Sequence, residues 1–176
     1  MGLLRKIDKH LEEYLLSFLL STTVILIAVQ VFMRYVMHAS PSWTEELARY
    51  LFIWMIYIGI SYGVKMQRHI KVDAIMLILP FKAQKYLLIV SNILFIVFCV
   101  FIIQQGTAVA MNLLSFGQTS PALSIPMGYI YMASPIGFSL AIIRLVQNIV
   151  VIVSELKGLN QENNIVGSTV RTSDSR

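Results

Sequence analysis

The chain has 176 residues, 57% of them hydrophobic and 13% charged, with a formal net charge of +5 and a mean hydropathy of +0.72. Soluble domains average about 25% charged and about 45–50% apolar residues, so this balance is that of an integral membrane protein. The basic excess sits mainly between apolar runs and no nucleic-acid-binding motif accompanies it, which argues against a nucleic-acid partner and for topology signals beside membrane lipids.

The first uncharged run, Leu15–Met33, follows Arg5, Lys6 and Lys9. It is longer than a signal-peptide core and shows no clear small-residue cleavage site, so a retained span is expected. A crossing helix needs about 20 mostly apolar residues. Four segments qualify, 15–36, 47–64, 86–110 and 129–153, within one membrane domain over 1–157. Tyr86–Ile143 contains no Lys, Arg, Asp or Glu and is divided at NLLSFGQTSPALSIPMG (Asn112–Gly128), where glycine, proline and small polar residues gather. In the fourth span Pro135 and Gly137 are expected to kink the helix. Between spans two and three, VDAIMLILPFK (Val72–Lys82) is too short to cross. Asp73 would cap a short interfacial helix there, and Pro80 would close it. The tail 158–176 is polar and expected to be disordered. Cys99 is the single cysteine, so no internal disulfide forms.

Orientation follows from lysine and arginine. Arg5, Lys6, Lys9, Lys65, Arg68, Lys71, Lys82, Lys85 and Lys157 fall on one side of the membrane, and only Arg34 and Arg49 on the other. The expectation is four transmembrane helices with both termini in the cytoplasm.

The charged entrance to span two reads SWTEELAR (Ser42–Arg49). Ser42 and Glu45 have the spacing of a capping box, and Glu45 suits the positive end of the helix dipole. Trp43 belongs at headgroup depth. Arg49 lies four residues after Glu45 and three after Glu46, so an intrahelical pair is available. Glu46 is expected to neutralise Arg34, at the outer end of span one, or a charge on another protein. Snorkelling to the surface is the alternative for Arg34. Gly59 and Gly63 make a small-xxx-small face for close helix approach. Trp54, Tyr57 and Tyr62 read as packing residues.

The central thirds of the spans carry no Asp, Glu, Lys or His. Gln30, Asn92, Gln104 and Gln105 are the main polar groups, read as interhelical hydrogen-bonding residues. His10, His38 and His69 lie outside the spans, and no zinc spacing, nucleophile–base set or phosphate loop is present. No enzyme, metal site or cofactor is therefore expected. An alternative is a self-contained carrier or channel, a homo-oligomer lined by Gln30, Gln104 and Gln105. Adjacent helical residues face about 100° apart, which sets Gln104 against Gln105 in such a lining.

Arg34-Tyr35, Ser42–Arg49, Trp54, Gly59 and RHIKVD (Arg68–Asp73), followed by QTSPALSIPMGYIYMASPIGF (Gln118–Phe138), carry a resemblance in their order and spacing. Over about residues 5–155 the chain resembles the DctQ-like small membrane subunit of tripartite ATP-independent periplasmic (TRAP) transporters. The resemblance implies a bacterial inner-membrane complex. In it a large permease subunit carries the substrate and sodium sites, and a soluble periplasmic binding protein delivers an organic acid. The small subunit then serves as scaffold, with sodium coupling on the large partner and no cofactor of its own. The sequence looks somewhat like the sialic-acid systems, with the selecting residues expected on the other chains. The subunit-interface or structural candidates are Arg34, Trp43, Glu45, Glu46, Arg49, Trp54, Gly59, Gly63, Arg68, His69, Asp73, Gln118, Pro121 and Pro126.

Overall fold

The computed structural model describes residues 2–38, 41–66 and 80–173, with side chains described at 12–38, 41–66, 80 and 83–156. Five helices follow in order: α1 (Gly2–Tyr35), α2 (Ser42–Met66), α3 (Phe81–Ser115), α4 (Met127–Tyr131) and α5 (Ala133–Ser173). Among the described residues there is no strand, only an isolated bridge between Thr119 and Pro126. Four helical stretches are long and apolar enough to cross a membrane: Glu12–Val36, Ser42–Met66, Ala83–Ser115 and Met127–Leu156. The expected all-helical, four-span architecture is therefore found, the first span starting earlier and the other three extended at both ends. Residues 67–79, with the expected interfacial helix and Arg68, His69 and Asp73, lie outside the described residues.

Local chemistry explains the breaks. Pro80, extended at φ −62° and ψ 144°, precedes α3, and its carbonyl accepts from the Ala83 and Gln84 amides. It thus opens a helix. At the far end of α3, Gly117 takes the left-handed conformation (φ +61°) that lets the chain turn away cheaply. The Gln118 amide then bonds back to the Leu113 carbonyl, satisfying a helix end. The fourth span is split at Met132, between α4 and α5. Pro135 has no N–H to offer the carbonyl four residues back, at Tyr131, so the ladder is interrupted there. α5 then runs on to Ser173, into the polar stretch expected to be disordered. No proline interrupts residues 136–173, so nothing stops the ladder from continuing.

The helices form an open row rather than a closed bundle. α1 packs on α2, α2 on α5, and α5 on α3, while α1 and α3 occupy the flanks and share no comparable interface. The core lies where the middle helices meet α3, and it contains Val64, Cys99, Phe138, Ala141 and Leu145. Phe138 anchors it, with edge-on contacts to Tyr57 and Phe98 at ring separations of 6.0 and 6.1 Å. Close approach of α2 and α5 depends on Gly137, where an added Cβ would lie 2.6 Å from the Tyr57 carbonyl oxygen. Gly128 similarly admits Leu114 and the Ala110 carbonyl of α3. The glycine pair singled out by spacing behaves differently. A Cβ on Gly59 would reach Leu16 of α1 at an ordinary 4.0 Å, and one on Gly63 would meet nothing. Close packing is set by the glycines of the fourth span, because those face neighbouring backbone.

Candidate functional site

Polar side chains gather at the two ends of the row. At one end lie the start of α2 and the loop 116–126. Glu46 is buried there, and no ion pair joins it to Arg34 among the described residues. One carboxylate oxygen accepts the Tyr50 hydroxyl, one turn along α2. The other accepts the Ala122 amide at 2.8 Å, across 76 residues of sequence. Ser120 and the Leu123 amide face the same group. The loop presents these donors because it is folded on itself: the Ser120 amide bonds the Ile125 carbonyl, and the Met127 amide bonds the Gln118 carbonyl. Glu46 thus clips the α3–α4 connection onto α2.

Glu45 and Arg49 form the expected i,i+4 pair, 3.1 Å apart, with both side chains mostly exposed. The capping box does not form. Helix α2 already includes Ser42, the Pro41 carbonyl receives both the Thr44 amide and the Thr44 hydroxyl, and Glu45 is turned to Arg49. Trp43 is 46% exposed, and Trp54 is half-buried. Arg34 is exposed and joins no ion pair among the described residues. Gln118 and Pro121 are exposed in the loop, and Pro126 caps α4. Between α2 and the α4–α5 segment a cleft of about 730 Å³ opens. Glu45, Arg49, Tyr50 and Pro121 are among the residues at its polar side, and Ile53, Ile56 and Ile130 are among its apolar walls.

The opposite end holds a charge cluster that sequence reading passed over. Glu12 of α1 is 3% exposed. Its Oε1 accepts from Arg144 Nε of α5 at 2.9 Å and from the Ser61 hydroxyl of α2 at 3.0 Å. Lys65 stands 3.4 Å from Oε2 as an ion pair, although no aligned hydrogen bond reaches that oxygen. Arg144 also donates to Gln147 at 2.9 Å. The Asn148 amide donates to the Val64 carbonyl, tying α5 to α2, and Lys85 pairs with Glu155 to tie α3 to α5. A charge deep in a span is tolerable only when neutralised. Here a single carboxylate faces two cations and holds three helices in register.

Between these ends the described spans contain no charged side chain. Among the described residues no three His, Cys, Asp or Glu side chains are grouped to hold a metal ion. Gln30 lies on α1 and Gln104 and Gln105 on α3, at opposite flanks of the row. Within one chain they therefore line no common path.

Four apolar spans, braced by polar contacts at their two ends, make this a multi-span membrane protein. Residues 23–155 match the family described as Tripartite ATP-independent periplasmic transporters, DctQ component, and the chain belongs to that family. It is 30% identical over 154 residues to the isethionate TRAP transporter permease protein DctMQ of Oleidesulfovibrio alaskensis, which is 84% of this chain but 24% of that relative. A putative TRAP transporter small permease protein of Haemophilus influenzae is 30% identical over 130 residues, 74% of this chain and 79% of the relative. The sialic acid TRAP transporter small permease protein SiaQ of Vibrio cholerae is 28% identical over 139 residues, 75% of this chain and 80% of the relative. The chain thus spans about a quarter of the longer DctMQ protein and most of the small permease proteins. As a TRAP transporter small component, it falls in a transport family rather than an enzyme family.

Proposed function

We propose that the chain is the scaffold subunit of a sodium-driven importer in the bacterial inner membrane, seated beside a large permease subunit that carries the substrate and ion sites. The observation that carries this reading is that the middle thirds of the four described spans hold a single charged side chain, Arg144, and that one is engaged by Glu12 and Gln147. Moving a carboxylate and its coupling ion across a bilayer calls for ionisable groups or broken helices near the midplane. The one break, at Met132, is packed against α3 through Gly128 and offers no charged group. The DctMQ relative supports the pairing, since there the matching region forms a minor part of one longer permease chain.

The lysine and arginine distribution supports an orientation with both termini cytoplasmic. The Glu12 cluster then sits at the cytoplasmic side, and the Glu46 end faces the periplasm. There the clipped loop 116–126 and the Glu45–Arg49 pair form part of the surface on which a substrate-loaded periplasmic binding protein docks. The substrate class is a small organic acid. Relatives of similar identity are named for isethionate, ectoine and sialic acid, so the residues that select among such solutes belong to the other two components.

Reconstitution in liposomes tests the assignment. With an inward sodium gradient and loaded binding protein, uptake is expected only when this chain and the large subunit are both present. Uptake by this chain without the large subunit would overturn it.

A further inference from the structure

Helix α3 turns most of its circumference outward. Cys99, Ile102, Ile103 and Ala110 point into the row, and the opposite side is exposed. Along that exposed side, Ser91, Phe98, Gln105 and Asn112 recur every seven residues. Leu94, Phe101 and Ala108 interleave with them at alternating steps of three and four, and they are exposed too. Such a 3–4 repeat is the seam by which one helix receives the knobs of another. A shallow groove lined by Ser91, Leu94, Phe98 and Phe101, among others, occupies half of this seam.

The amide of Gln105 says what the seam is for. Neighbouring Gly106 backs onto Ser134 of α5, and one turn further along α5 Gly137 lies against Tyr57. Gln105 is therefore level with the middle of α2, deep in the hydrocarbon. Three hydroxyls in the spans settle on their own helices: Thr22 on the Phe18 carbonyl, Thr23 on Leu19, Ser139 on Pro135. A glutamine amide has two donors and an acceptor to satisfy, and the side chain of Gln105, like that of exposed Gln104 beside it, makes no hydrogen bond among the described residues. Facing lipid there is costly, whereas facing a polar group on another helix is favourable. Ala108, the next seam position, permits that helix to come close. A polar residue at one repeat position also fixes register.

We propose that this seam receives one membrane-spanning helix of the large permease subunit, crossing α3 at about +20° with a polar side chain or free carbonyl opposite Gln105. The proposal rests on the scaffold reading above. The DctMQ relative favours the large subunit over a second copy of this chain, because there the counterpart region occurs as part of a single longer permease chain.

The test places a photo-crosslinking benzoylphenylalanine singly at Phe101 or Ala108 on the seam, at Ile93 or Val100 on the same helix off the seam, and at Ile25 on α1. Membranes containing the complete transporter are irradiated and adducts identified by mass spectrometry. Adducts to the large subunit are expected from Phe101 and Ala108 and not from Ile93, Val100 or Ile25. Equal yields on and off the seam, adducts from Ile25 alone, or adducts between two copies of this chain would overturn the assignment. Co-purification of the unsubstituted pair is followed in parallel. Failure to co-purify removes the subunit reading itself, whereas normal co-purification with the wrong adduct pattern removes only the seam. In addition, Gln105→Leu is expected to weaken capture of the large subunit roughly threefold, the size of a typical interhelical hydrogen bond in lipid, with Gln104→Leu unchanged. Equal effects at the two positions would remove the hydrogen bond from the proposal.

Discussion

Glu46 and Glu12 are both buried carboxylates at the ends of the same row, and they are stabilised in opposite ways. Glu46 is surrounded by neutral donors, a tyrosine hydroxyl and the amides of a folded loop. Glu12 is surrounded by cations delivered from two other helices. Dipoles on a loop position that loop. Counter-charges on separate helices position the helices. The first arrangement therefore governs local order at one surface, and the second the register of α1, α2 and α5.

The largest expected effect separates the two. Glu12→Leu removes the buried carboxylate that Arg144 and Lys65 both face, and loss of one partner of a buried pair costs about 3–5 kcal/mol. Thermal unfolding in detergent or nanodiscs should show global destabilisation, with α1 released from the row. If the cluster is held by charge balance, adding Arg144→Met to Glu12→Leu should recover most of that loss, since apolar replacement of a whole buried pair is often neutral. A double variant as unstable as the single one would refute the charge-balance account.

Next in size is Glu46→Gln. One amide oxygen can still accept, but the NH2 group faces a hydroxyl or amide donor, and an unmatched buried group costs about 1–3 kcal/mol. The loss should appear as faster proteolysis within 116–126 while the helical core unfolds near its original temperature. A global shift equal to that of Glu12→Leu would erase the contrast between the ends. The smallest effect belongs to Arg49→Gln. Its pair with Glu45 is exposed and four residues apart, so about 0.3–0.5 kcal/mol is at stake in unfolding, whatever its part in docking.

The same contrast separates what the sequence discloses from what it conceals. Hydropathy places all four spans, because burial in lipid needs only length and composition. The Glu45–Arg49 pair is legible because its partners are one helical turn apart. Glu46 was recognised as needing a partner, but the donor is an amide in a loop 76 residues away, and amides leave no mark in the letters. Arg144 ends the uncharged run that begins at Tyr86, and it was passed over because its partner lies 132 residues away. Counting charges against span limits would have flagged Glu12 and Arg144 as a complementary pair needing each other. Glycine spacing pointed to Gly59 and Gly63, yet the tight contacts fall at Gly128 and Gly137. Spacing describes one helix, while tightness depends on which neighbour it meets.

The side-by-side arrangement of α1, α2, α5 and α3 gives the molecule the proportions of a fin. With neighbouring axes about 8–10 Å apart, its outermost helices stand at most about 30 Å from each other. On the scaffold reading proposed above, a fence of that breadth, fastened along one edge to the large subunit, would widen that subunit's footprint in the bilayer at the expense of few residues. It would resist rocking and sinking in the way that a keel steadies a hull, keeping still whatever stays fixed while other parts travel.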